Sequence, residues 1–167
     1  MDGRILFAAH DGVHVLKFVG DVRVTLGPAI SEFLDKIGNC ASFQSIVIDL
    51  SETVGIDSTS LGLLAKIAMR VDESFGAVPT IISTNEDITR ILLSMGFDQV
   101  FVIVRERGEG LAEASAATEL PCGRVSEGEM RQQVLDAHRT LMSMNDTNHD
   151  TFKDLVNALE SEASAAR

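Results

Sequence analysis

Cysteine is scarce in this chain, basic residues are outnumbered, and long apolar runs are missing. The two cysteines, Cys40 and Cys122, lie far apart with no second cysteine near either, which excludes a disulfide framework or zinc ribbon and fits a reducing compartment. Lys and Arg number 14 against 25 Asp and Glu, a net charge of −11. A surface this acidic repels phosphate backbones and anionic lipid heads, so neither nucleic acid nor membrane is expected as a direct partner. Nowhere do 18 consecutive apolar residues occur, and the opening stretch has an acid at Asp2 and no apolar run of signal-peptide length. A cytoplasmic location is expected.

What is present suffices for one domain and an appendage. The 167 residues are 45% hydrophobic and 23% charged, near the globular average, which excludes wholesale disorder and leaves material for a real core.

Along the chain, strand patterns alternate with helix patterns. Ile5 and Phe7 on one side, and Val13, Val15 and Phe18 on the other, flank Asp11-Gly12, a dipeptide suited to a tight hairpin turn. Leu26, Ile30, Phe33, Leu34 and Ile37 form one helical stripe with Pro28 in the first turn, stopped at Gly38-Asn39. Ile46-Val47-Ile48 with Leu50 reads as an interior strand. Leu61, Leu64, Ala68, Val71 and Phe75 predict a helix starting at or just after Ser58 and ending at Gly76. Residues 79–83 form a short strand, and Asn85 caps a helix faced by Ile88, Ile91, Leu92 and Met95 that stops at Gly96. Residues 100–104 make a closing strand. The expected fold class is α/β, a mixed sheet with crossover helices over residues 1–105.

Residues 106–124 lack periodicity and read as a linker with a short helical turn, Gly108-Glu109-Gly110 included. Residues 125–167 read as an amphipathic helical hairpin. Ser126 and Glu129 form a capping box, Met130, Val134, Ala137, Leu141 and Met144 make the first apolar face, and Phe152, Leu155, Val156 and Leu159 make the second. That extension either covers the domain's own sheet or forms a homodimer contact.

Chemistry concentrates in Asp57-Ser58-Thr59-Ser60, three hydroxyls and an acid at one helix mouth. Unpaired backbone N–H groups and the helix dipole make such a place receptive to an anion. The plainer reading of Ser58 is an ordinary N-cap; the sharper one is a phosphoryl acceptor. A receiver-type Asp57 lacks the acidic pair and the lysine it needs. A serine hydrolase would want G-x-S-x-G with a histidine and an acid, and the first glycine is absent. His10, His14, His138 and His149 have no metal-ligand spacing, His138 simply lining the tail helix, and Asp146 to Asp150 departs from a calcium loop at Thr151 and Asn157. No metal or cofactor is expected.

These residues resemble the anti-sigma factor antagonist branch of the STAS domain family. Asp57-Ser58-Thr59-Ser60-Leu61-Gly62 is similar to that branch's D-S-S/T-small-L-G helix opening, although Ser60 stands where Gly or Ala is more usual. Asn85 to Leu92, followed by Met95-Gly96-Phe97 and Val100-Phe101, resembles its last helix and closing strand. Gly20-Asp21-Val22 resembles its early loop, with Arg23 where an acid is common. The resemblance spans about residues 4–105 and implies a non-enzymatic binding protein. Ser58 would be the phosphoacceptor, with Thr59 and Ser60 as further candidate hydroxyls, and Asp21, Arg23, Asp57, Ser58, Thr59, Ser60 and Leu61 would contact the partner. The implied partners are an anti-sigma factor or serine kinase of the histidine-kinase-like ATPase fold, and a metal-dependent serine phosphatase. The rival expectations are a constitutive scaffold module, or a nucleotide-binding domain using the same helix mouth.

Overall fold

A computed structural model describes residues 2–39, 42–106, 118–121, 123 and 125–165. Both cysteines and the Gly108–Gly110 stretch lie outside the described residues. Strands β1 (Arg4–His10) and β2 (Val13–Val22) form an antiparallel hairpin in which His10 faces Val13. Its two-residue turn needs positive φ twice, which Asp11 (φ 51°) and Gly12 (φ 83°) supply as the sequence predicts. After a 3-10 turn at Val24–Leu26 comes α1 (Gly27–Ile37), with Pro28 in its first turn, where a missing N–H costs nothing.

β3 (Ser45–Ile56) lies parallel to β2, α2 (Ser58–Phe75) crosses to the parallel β4 (Thr80–Ile82), and α3 (Glu86–Ser94) crosses to the parallel β5 (Val102–Val104). The described sheet runs β5-β4-β3-β2-β1-β6, where β6 (Thr118–Glu119) pairs antiparallel with β1 at the edge. β6 adds a strand that the linker reading of residues 106–124 did not include, since two residues carry no readable alternation and their pairing is set by the edge of β1; the expected helical turn in 107–117 lies outside the described residues. β5 begins at Val102 because a 3-10 turn, Phe97–Gln99, and the stack of Phe97 on Phe101 (5.5 Å) precede it.

The larger departure is β3. It continues past Leu50 through the polar Ser51-Glu52-Thr53 to Ile56, because β2 pairs with it along that whole length through two register shifts. Thr53 is buried and its hydroxyl donates to the carbonyl of Phe18 at 2.8 Å, which makes a polar residue acceptable there. β3 therefore delivers Asp57 straight to the start of α2.

The core lies between the sheet and its helices. Phe18, Ile46, Ile48 and Leu50 of the strands meet Leu61, Leu64, Ile67 and Val71 of α2 and Ile30 of α1. Two further helices, α4 (Glu127–Met144) and α5 (Asp146–Ala165), pack against each other, and α4 packs along α2. The apolar face of α4 packs on α2, which corrects the expectation that it covers the domain's own sheet. Among the described residues no helix is long and apolar enough to cross a membrane.

Candidate functional site

The site is assembled where β2 and β3 end together. Asp57 is the N-cap of α2, with Oδ1 accepting the Ser60 N–H at 2.8 Å, while Oδ2 accepts the Val24 N–H, also at 2.8 Å. Its own N–H donates to the Val22 carbonyl at 3.0 Å. One carboxylate thus closes the helix start and ties it to the turn after β2. The capping role expected of Ser58 therefore belongs to Asp57, and Ser58 is the first helical residue. A carboxylate caps well for the same reason as a hydroxyl, and adds a charge the helix dipole favours.

Ser58 is half-buried, and its hydroxyl is engaged: Oγ lies 2.8 Å from Nε2 of His138 on α4. The other ring nitrogen, Nδ1, sits 2.7 Å from the Val134 carbonyl, an acceptor only, so Nδ1 carries a proton. In the neutral ring Nε2 is then the acceptor, and the Ser58 hydroxyl donates to it. His138 is 2% exposed, and Phe152 of α5 packs edge-on against its ring at 5.2 Å. Far from lining a free tail helix, His138 covers the serine.

The remaining expected residues divide. Asp21 and Arg23 lie beside the site, Arg23 exposed and donating from Nε to Asp21 Oδ2 at 2.8 Å. The hydrogen bond and charge of Asp21, with a smaller pull from Asp57, hold the Arg23 guanidinium above its usual range. Thr59, Ser60 and Leu61 are buried, at 6%, 0% and 1% exposure, which corrects the expectation of three hydroxyls at an open mouth: one helical turn rotates them into the core. As further phosphosites, or as contacts for a docked protein, they have almost no accessible surface in this conformation. A cleft of about 710 Å³ next to Asp21 and Arg23 is also lined by Asp2, Arg4 and Glu119; its three acids against two arginines disfavour a nucleotide's phosphates.

Chemically, the pair has the donor geometry of a nucleophilic serine, and the sequence reading missed the histidine. A hydrolytic relay would place a carboxylate on Nδ1; here a backbone carbonyl takes that place. What the arrangement offers is a hydroxyl at the α2 start, beside an acid and covered by His138 of α4.

An antiparallel opening hairpin, parallel crossovers and a helix start carrying Asp57-Ser58 define a small α/β domain. The family model of the STAS domain matches residues 4–110, and the chain belongs to that family. Two solved structures share the fold. The anti-sigma factor antagonist SpoIIAA in its unphosphorylated form aligns at a TM-score of 0.53 and 12% identity, covering 65% of this chain and 93% of its own. An anti-sigma factor antagonist from Mycobacterium paratuberculosis aligns at 0.54 and 23% identity, covering 69% and 92%. No curated protein matches the chain.

Proposed function

We propose that this protein is an anti-sigma factor antagonist, a binding protein without an active site of its own that engages an anti-sigma factor or similar signalling partner while Ser58 is unmodified and releases it when Ser58 is phosphorylated. The observation that carries this reading is the position of Ser58: directly after the capping Asp57, just past the end of β3, half-buried beneath His138 while the next three residues are buried. Both solved relatives named above are described as anti-sigma factor antagonists, which supports the same class of partner. A serine kinase of the histidine-kinase-like ATPase fold and a metal-dependent serine phosphatase would write and erase the mark, in a cytoplasmic setting.

Phosphorylation adds about −1.5 to −2 charges beside the Asp57 carboxylate, whose oxygens already take the nearby Ser60 and Val24 N–H groups. A docked partner then meets like charge at short range, a penalty of several kcal/mol, which at ~1.4 kcal/mol per decade weakens binding by about 10²- to 10³-fold. The test is the affinity of the partner that co-purifies with Ser58→Ala for wild type, Ser58→Ala and Ser58→Asp. Tight binding by the first two and loss in the third supports the switch; equal affinity for all three refutes it.

A further inference from the structure

α4 is seated on the very residue that a kinase and a partner would have to reach. Beyond the Ser58–His138 bond, α4 approaches α2 so closely that a Cβ on Gly62 would lie 2.3 Å from the Ala137 carbonyl oxygen. It reaches α1 as well, where Gln133 Nε2 donates to Ser31 Oγ at 2.9 Å. The junction to α5 is anchored on the end of α3: Asn148 Nδ2 donates to the Met95 carbonyl at 2.8 Å. None of these contacts belongs to the sheet, and every strand ladder is formed without α4 or α5.

Between the Ser58 hydroxyl and His138 there is room for a hydrogen bond and nothing larger. A separation of 2.8 Å between Oγ and Nε2 is one donor-acceptor contact, whereas a phosphoryl group adds a phosphorus and three oxygens to Oγ. Turning that group toward the α2 N-terminus brings it to the Asp57 carboxylate, which already holds the Ser60 N–H. His138 is also held by the Val134 carbonyl and by Phe152, so moving its ring aside breaks both contacts.

We infer that the α4–α5 hairpin is a displaceable cis occupant of the surface around Ser58, and that a phosphoryl group on Ser58 expels it from α2. This rests on the reading of Ser58 as phosphoacceptor. The hairpin and an external partner then compete for one face, so the unmodified protein is held partly closed and His138 acts as the latch. By linkage, whatever lifts the hairpin exposes the hydroxyl, and modification of the hydroxyl favours the lifted state by the same factor.

The experiment uses the full-length chain with phosphoserine installed at position 58 by nonsense suppression, alongside unmodified protein and a control with phosphoserine at the exposed position 74. Amide hydrogen exchange is followed over α4, α5 and the strands. The inference predicts that exchange in α4 and α5 accelerates ~tenfold or more in the Ser58-modified protein alone, with protection in β2 and β3 retained. In a His138→Ala background, which vacates the space, the phosphoserine-dependent acceleration shrinks. Unchanged or slower exchange in α4 overturns the inference, because it would mean that the phosphoryl group is accommodated or bound by His138; loss of protection throughout the sheet overturns it too. Since the phosphate is installed directly, failure here leaves the partner-affinity series untouched, and the two readings fall separately.

Discussion

Gly62 and Ala137 bring two helices into backbone contact: the Cβ that Gly62 lacks would lie 2.3 Å from the Ala137 carbonyl oxygen and 2.6 Å from its carbonyl carbon. No side-chain rotamer relieves a collision with backbone. Gly62→Ala gains about 1 kcal/mol in helix propensity, yet forces α4 off α2, an overpacking penalty of ~1–3 kcal/mol together with the loss of the Ser58–His138 bond. The net expectation is a stability loss of ~1–2 kcal/mol in urea unfolding and faster exchange in α4. A more stable Gly62→Ala would show that α4 rides above α2 without touching it.

Asp57 satisfies two backbone donors from different elements. Asp57→Ala removes the cap and orphans the Val24 N–H, for a loss of about 2 kcal/mol. Asp57→Asn keeps one carbonyl oxygen and is expected to lose about half as much. Chemical denaturation of the two variants separates the contributions; equal losses would place the whole effect in the charge.

His14 is buried in an aromatic cluster, stacked on Phe43 at 5.3 Å with Phe7 at 5.7 Å and Phe33 at 6.5 Å, with Glu32 and Lys36 lining the same cavity. Burial pushes its imidazole below the usual value, so the folded state holds it neutral. The unfolded chain binds the proton more readily, and stability present above about pH 6.5 is lost as pH falls toward the lowered folded value. His14→Phe is expected to flatten that part of the pH profile of unfolding. The same slope in both proteins would assign it to other groups.

Asn148 and Arg139 both hold the C-terminal hairpin, with unequal expected effect. Asn148 is 1% exposed and bonded to the Met95 carbonyl, so Asn148→Ala is expected to destabilise by ~1–3 kcal/mol. Arg139 pairs with Glu160 at 2.8 Å, both side chains nearly half exposed, and Arg139→Ala is expected to change stability by less than about 1 kcal/mol. Thermal unfolding of the two variants checks the order.

The elements legible in the sequence are those written by local chemistry. The Asp11-Gly12 turn, the Asn85 cap with its 2.9 Å bond to the Asp87 N–H, the left-handed Gly76 and Gly96, and the Ser126 cap are each specified by a few neighbouring residues. What was not legible depends on distant partners. The second half of β3 is polar and reads as a loop until β2 pairs with it. Asp57 displaced Ser58 as cap because its second oxygen finds Val24, 33 positions away. His138 meets Ser58 across 80 positions, and a lone histidine on an amphipathic helix carries no signal of what it will cover. The resemblance pointed to Ser58, while the chain's own extension, outside the span of that resemblance, supplies the histidine that covers it.

The central claim is that Ser58 carries a reversible phosphate, and phosphopeptide mass spectrometry on protein taken from cells in contrasting growth states tests it most directly. The account predicts a single phosphate on Ser58 whose occupancy changes between states, with none on the buried Thr59 or Ser60. Absence of phosphate from Ser58 in every state would contradict it.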